Sequence, residues 1–271
     1  MPEPRAVGKA TRSALDRHSE ESQAILESGD SASIKQIYVD LAASLVEATD
    51  ADGSVPVLSF HETAAAVAAG LATTSGLHLD VGCGPNPVAS ILVAKSSGRA
   101  IIGADIGTGM ITLARRISSE AGVTFCGVVT DAEALPFAPG AFGSVVCDDT
   151  IEHLPDDDAG ARELARVTAP GGIVALATPN RIRLPVVVKK LRDRVRGNRR
   201  PAKAYYAADS HLREYTWRDL EQLVEPHMQV SERGFVPWSG SRARRLASAV
   251  TSVPGGRQLG RVVLLFLTPR V

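Results

Sequence analysis

Cysteine is scarce in this chain. The three present in 271 residues, Cys83, Cys126 and Cys147, sit in or beside strand-like runs and lack the paired spacing of a zinc knuckle. A disulfide framework is excluded, and buried thiols in a reducing compartment are expected. Long apolar runs are missing as well. The longest late one, Val262 to Leu267, falls far short of the ~20 residues that cross a bilayer, and the amino terminus has no apolar signal core. A cytoplasmic location follows as the expectation. Internal repeats and low-complexity segments are absent, and no recognisable RNA- or DNA-binding module accompanies the basic stretches, so nucleic acid is not an expected partner.

Net charge is also absent, with 30 Lys and Arg against 30 Asp and Glu, but the balance conceals an asymmetry. Residues 181–271 carry nineteen basic against seven acidic side chains, which leaves eleven against twenty-three in residues 1–180. The two parts are expected to do different things. The acidic part also disfavours a phosphate backbone as ligand. Hydrophobic residues make up 44% of the chain, enough for the core of one large α/β domain with attachments.

Strand-like runs at 76–81, 99–105, 123–130, 144–148 and 172–178 alternate with helix-like stretches, the pattern of a parallel sheet covered on both faces. Two further strands are expected from Met228 to Phe235 and from Arg261 to Thr268, after a capped helix starting at Thr216. The predicted fold is therefore a Rossmann-like, mostly parallel seven-stranded sheet, with an N-terminal helical segment (1–60), a ligand-binding core (61–180), a basic helical insertion (181–215) and a C-terminal completion (216–271). In the N-terminal segment, Ile34, Tyr38, Leu41 and Leu45 fall at helical spacing.

The most informative run is Leu79 to Pro87, LDVGCGPNP, where an apolar strand ends in a glycine turn with one carboxylate inside it. Gly82 and Gly84 can take backbone angles closed to other residues and let a ligand approach the main chain. A dinucleotide fingerprint needs a third glycine where Pro87 stands, so NAD is disfavoured. Asp80, two residues before the first glycine, is costly to bury unless something meets it, either backbone amides or a ligand ammonium group. Some twenty residues on, Ile101 to Ile106 ends a strand in Asp105, where a carboxylate can accept both ribose hydroxyls. The plainer reading of such an acid is a helix N-cap.

In this order the glycine run resembles motif I of class I S-adenosylmethionine-dependent methyltransferases. The run from Thr130 to Phe137, TDAEALPF, resembles the family's adenine-side motif, and Ala141 to Leu154, AFGSVVCDDTIEHL, resembles the strand flanking the methyl-transfer centre. Gly143 stands where the family often has an acid. Arg166 to Asn180, with its Pro170-Gly171-Gly172 turn, resembles the element that closes the half-sheet. The resemblance covers roughly residues 77–180. It implies a cofactor site made by Asp80, Gly82, Gly84, Asp105, Ile106, Asp131, Ala132 and Asp148, with Asp131 accepting from the adenine amine and the Ala132 amide meeting a ring nitrogen.

The implied activity is methyl transfer to a small molecule, most simply at oxygen. A binding protein on the same scaffold, or another reaction using it, stays open. Two histidines are candidate general bases: His153, just after the fourth strand, and His211, after the insertion. If 149–153 is a helical turn, Asp149, Glu152 and His153 share one face and could hold Mg²⁺. That stretch, with the placement of the insertion, resembles the ubiquinone-pathway O-methyltransferases, some of which use a divalent metal. Within 181–204, ten basic residues meet one acid, and Leu184, Val187, Val188, Leu191 and Val195 fall on one helical face. The expectation is a lid helix packing that face on the core. The alternative is a peripheral contact with anionic lipid or a lipid-linked substrate.

Overall fold

The computed structural model describes residues 30–52, 61–201, 211–236 and 260–270, with Ala10, Ile25, Ala204 and Gln258. Tyr205 and Tyr206, beside the basic stretch, lie outside the described residues, as does nearly all of 1–29. Helices α1 (Ser31–Asp52) and α2 (His61–Gly70) precede strand β1 (Leu77–Val81). There follow α3 (Val88–Ser97), β2 (Ile101–Asp105), α4 (Thr108–Glu120), β3 (Phe125–Val129) and β4 (Phe142–Asp148). After a 3₁₀ turn (Ile151–His153) come α5 (Asp157–Val167), β5 (Thr168–Pro179), α6 (Leu184–Val195), α7 (Trp217–Val224), β6 (Met228–Val236) and β7 (Val262–Pro269). The seven strands form one sheet in the order β3-β2-β1-β4-β5-β7-β6, with β7 antiparallel to both neighbours. All seven expected strands are present.

The central strands read as continuous apolar runs because both of their faces are buried. Side chains of a strand alternate between faces. Val145, Cys147, Leu176, Leu265 and Leu267 therefore join one core cluster with Leu164 of α5 and Leu220 of α7. Val146, Ala175, Ala177, Leu264 and Phe266 join the other, with Val67 of α2 and Val93 of α3. Ile34, Leu41 and Leu45 of α1 are buried as their spacing implies.

Local chemistry sets the helix ends. The Asp156 carboxylate accepts the Ala159 amide at 2.9 Å to start α5, and Thr216 and Asp219 form a reciprocal capping box at α7. Gly98, in the left-handed region, closes α3 and donates to the Ala94 carbonyl at 2.8 Å. Gly143 is dictated by close approach: a Cβ there would lie 1.7 Å from the Ser75 carbonyl oxygen. The acid common in the resembling family cannot fit.

Two expectations need correction. Cys126 is exposed, not buried, because β3 is the sheet's edge strand. The face of α6 expected to pack on the core is turned outward. Val188, Leu191 and Val195 are 56%, 62% and 80% exposed, while Val186 and Asp193 point inward.

Candidate active site

The glycine turn leaves β1 with Gly82 and Gly84 at φ +66° and +54°. The Gly82 and Cys83 amides both donate to the Ala104 carbonyl, at 2.8 and 3.1 Å, which fastens the turn to the end of β2. A Cβ on Gly82 would meet Thr150 Oγ1 at 2.2 Å, whereas one on Gly84 would find nothing within 4 Å. Gly82 thus serves packing against the loop after β4, and Gly84 leaves open main chain. Pro87 sits directly before α3, and its carbonyl accepts the Ile91 amide at 2.9 Å.

Asp105 ends β2 beside this turn. One carboxylate oxygen accepts the Gly84 amide at 3.0 Å and the other the Gly107 amide at 2.9 Å. Burial raises its pKa, and the amides of Gly107, Gly84 and Ile106 counteract that rise. It does not cap α4 with its side chain.

Asp80 is buried and accepts the Ser90 hydroxyl at 2.5 Å. Burial pushes its carboxyl up to about 7, with the Ser90 bond opposing the rise and the Asp105 charge adding to it. Across a small cavity that Asp80, Gly82, Asn86, Val88 and Asp148 help to line, both Asp148 oxygens are buried without a hydrogen-bond partner among the described residues. Burial, then the charges of Asp149 and Asp80, holds Asp148 well above the usual carboxylate range. Two buried carboxyls facing one cavity with unsatisfied oxygens call for a cationic donor, and an ammonium group supplies both charge and hydrogen bonds.

Beyond β3, the Thr130 amide donates to the Asp105 carbonyl at 2.9 Å, placing the 130–137 loop next to the turn. Asp131 accepts the Glu133 amide at 2.9 Å. Lys35 of α1 bridges Asp131 and Glu133 at 2.6 and 2.5 Å. From behind, Arg166 donates to the Leu135 and Phe137 carbonyls at 2.8 and 2.7 Å. Ala132 packs against the core. The loop therefore has no regular structure yet is held from both sides.

His153 and His211 come together, edge to face, with ring centroids 4.9 Å apart. Tyr38 of α1 is 2.8 Å from His153 Nδ1. His211 Nδ1 is 3.2 Å from Glu214, whose other oxygen accepts from Arg183 at 2.6 Å. The Glu152 side chain is completely buried; one oxygen accepts from Thr178 at 2.9 Å and the other has no hydrogen-bond partner among the described residues. That second oxygen lies 4.0 Å from His211 Nε2.

The expected helical face of Asp149, Glu152 and His153 does not form. Only Ile151–His153 makes a 3₁₀ turn, and Asp149 precedes it at φ +50°. Among the described residues, Glu152, His153 and His211 could hold a metal, their ligand atoms lying within 4.8 Å of one another. Sequence reasoning missed Lys35, Arg183 and Glu214. Glu214, three residues after His211, carried a faint signal, whereas Lys35 and Arg183 are brought in only by the tertiary fold.

Comparison with known proteins fits this geometry. Residues 79–176 match the family described as methyltransferase domain. Methyltransferase GfsG of Streptomyces halstedii is 38% identical over 103 residues, 36% of this chain and 36% of that protein. The ubiquinone biosynthesis O-methyltransferase of Chromobacterium violaceum is 35% identical over 106 residues, 38% of this chain and 44% of that one. The match thus spans less than half the length of either relative. Among solved structures, magnesium protoporphyrin IX methyltransferase from Synechocystis with bound SAH superposes with a TM-score of 0.54 at 17% identity, over 78% of this chain and 84% of that one. That likeness concerns the fold.

Proposed function

We propose that this chain, whose residues 79–176 match the methyltransferase domain model, is a class I S-adenosylmethionine-dependent methyltransferase that methylates a small-molecule acceptor at a hydroxyl oxygen. The observation that carries the reading is the pair of buried carboxyls, Asp80 and Asp148, lining one cavity with Gly82 and Cys83 of the glycine turn, whose next residue, Gly84, donates to the strand-end Asp105. In it Asp80 and Asp148 hold the cofactor's ammonium group, Asp105 accepts the ribose hydroxyls, and Ile106, Asp131 and Ala132 line the adenine. When bound, the cofactor supplies an electrophilic methyl group on a sulfonium.

For a hydroxyl acceptor the protein must also remove a proton. His211 suits that task better than His153. Its Nδ1–H donates to the Glu214 carboxylate, so the lone pair on Nε2 stays free to take the acceptor's proton, and Arg183 keeps Glu214 in place. His153, tied to Tyr38, borders the same space and positions the acceptor. A divalent ion on Glu152, His153 and His211 is the competing use of these side chains. Two imidazoles and one carboxylate suit a transition metal better than Mg²⁺. Activity that survives a strong chelator supports the proton-transfer role.

A second contact is supported by α6. Its outward strip, Val187, Val188, Leu191 and Val195, is flanked by Lys190, Arg192, Arg194 and Arg196. Apolar side chains set among cations match an anionic lipid surface, where the acceptor or its carrier would be found. Among the described residues no helix is long and apolar enough to cross a membrane.

Calorimetric titration with S-adenosylmethionine, S-adenosylhomocysteine and NAD tests the main reading. Binding of both adenosyl ligands but not NAD is expected, with Asp105→Ala weakening it by about 1–3 kcal/mol. Unchanged affinity in a folded Asp105→Ala protein overturns the cofactor assignment. Binding without methyl consumption across a broad acceptor panel points to a binding protein or to other chemistry on the scaffold.

A further inference from the structure

Behind the glycine turn, a polar chain runs through the otherwise apolar sheet. His78 of β1 is completely buried, with Nε2 2.9 Å from Ser90 Oγ and Nδ1 2.9 Å from Ser144 Oγ. Ser90 and Ser144 are completely buried too. Ser90 bonds to Asp80 at 2.5 Å. At the other end, Arg99 donates to Ser144 Oγ at 2.9 Å and to Thr74 Oγ1 at 3.1 Å.

With Asp80 ionised, the proton inventory permits one direction only. An ionised Asp80 can only accept, so Ser90 spends its single proton there and must accept from His78 Nε2–H. Burial, then the Arg99 charge, lowers the His78 pKa to about 4, so the ring is neutral and its Nδ1 is an acceptor. Ser144 therefore donates to Nδ1 and accepts from Arg99. Every dipole points from the guanidinium toward the carboxylate, the arrangement in which successive hydrogen bonds polarise one another.

We propose that His78 and Ser90 are positioning residues for Asp80, linked through Ser144 to Arg99 by a hydrogen-bond chain that favours the ionised form of the Asp80 carboxylate and aims it at the cofactor's ammonium group. This rests on the cofactor reading above. The titratable groups facing Asp80 are Asp105 of β2, Asp148 and the Cys147 thiol of β4, and the Cys83 thiol of the turn. The thiols are neutral, and of the two acids the Asp105 charge opposes ionisation of Asp80 while Asp148 is itself raised by the Asp80 charge. The chain is the counterweight: a buried carboxylate with acidic neighbours keeps its proton unless hydrogen bonds favour the charged form.

The test is S-adenosylhomocysteine affinity across mildly acidic to alkaline pH for wild type, Ser90→Ala and Arg99→Gln. Loss of the chain raises the Asp80 pKa, so Ser90→Ala should bind about tenfold more weakly near neutrality, the equivalent of one pKa unit, and recover toward alkaline pH. Arg99→Gln keeps a donor for Ser144 but removes the charge, so its binding curve should shift the same way by less. A deficit equal at every pH, or none, overturns the proposal, because a purely structural role has no pH signature. Nitrogen NMR of ligand-free wild type reads the His78 tautomer independently. The proton is expected on Nε2, and finding it on Nδ1 refutes the chain. Failure of wild type to bind the ligand at any pH overturns the cofactor reading instead, and the tautomer still decides the chain.

Discussion

Tyr38 and His153 meet at 2.8 Å although 115 residues separate them. One turn earlier on α1, Lys35 reaches Asp131 and Glu133. Helix α1 is thus pinned at two points, one on the 130–137 loop and one beside the paired histidines. Removing the second pin by Tyr38→Phe should lower kcat/KM by roughly 3–10-fold, about the worth of one hydrogen bond. Cofactor affinity in calorimetry should stay nearly unchanged. A loss of affinity without loss of turnover contradicts the placement of His153 on the acceptor side.

His211 and Glu214 make a sharper case. His211→Gln should reduce kcat by about 10²–10⁴-fold, the usual worth of a general base. Glu214→Ala should cost roughly 3–5 kcal/mol of stability as well, because it breaks a buried ion pair with Arg183. Denaturant unfolding of the two variants separates these effects.

The buried acids set a pH dependence of stability. Burial pushes Asp80 up to about 7 and Asp149 up to about 6, against about 3.9 for Asp in an unfolded chain. Between those limits the folded state binds more protons. Stability of the ligand-free protein should therefore be greatest near pH 4 as far as these groups are concerned, and fall as pH rises toward about 7, by at most about 1.4 kcal/mol per pH unit per group. An ammonium ligand favours the ionised forms. Its binding near neutrality should release protons, measured as a binding enthalpy that varies with the ionisation enthalpy of the buffer.

Gly143→Asp would restore the acid common in the resembling family and should damage this protein. The new Cβ overlaps the Ser75 carbonyl, and overpacking against backbone costs about 1–3 kcal/mol or more. Thermal unfolding should show a Tm lower by several degrees. An unchanged Tm means the 75–76 turn yields freely.

Exposed apolar side chains on α6 should matter for surfaces and not for folding. Val188→Glu with Leu191→Glu should abolish co-sedimentation with phosphatidylglycerol vesicles while leaving Tm unchanged. Wild type should not sediment with pure phosphatidylcholine. Equal binding of wild type and variant removes the lipid assignment.

The sheet was legible because its strands are continuous apolar runs separated by turn signals, and the glycine turn because Gly82, Gly84 and Asp80 lie within five residues. Long-range polar contacts were not legible. Nothing at position 35 or 183 announces that Lys35 will meet Asp131 or that Arg183 will meet Glu214, since these pairs are made by packing of distant elements. The α6 face was visible as a stripe, but periodicity fixes which residues share a face and not whether that face meets protein or solvent. The 149–153 turn misled through length: one 3₁₀ turn beginning at Ile151 cannot carry i, i+4 spacing back to Asp149.

Arg183 stands directly before the first turn of α6, is buried, and grips both the Asn180 carbonyl and Glu214. The helix beyond it is about 18 Å long at ~1.5 Å per residue, and among the described residues its Val188, Leu191 and Val195 side chains are exposed. Arg183 is therefore the fulcrum of a lever whose long arm lies on the surface and whose short arm ends at the partner of His211. A load on the outer arm can thus reach the imidazole by way of Arg183 and Glu214.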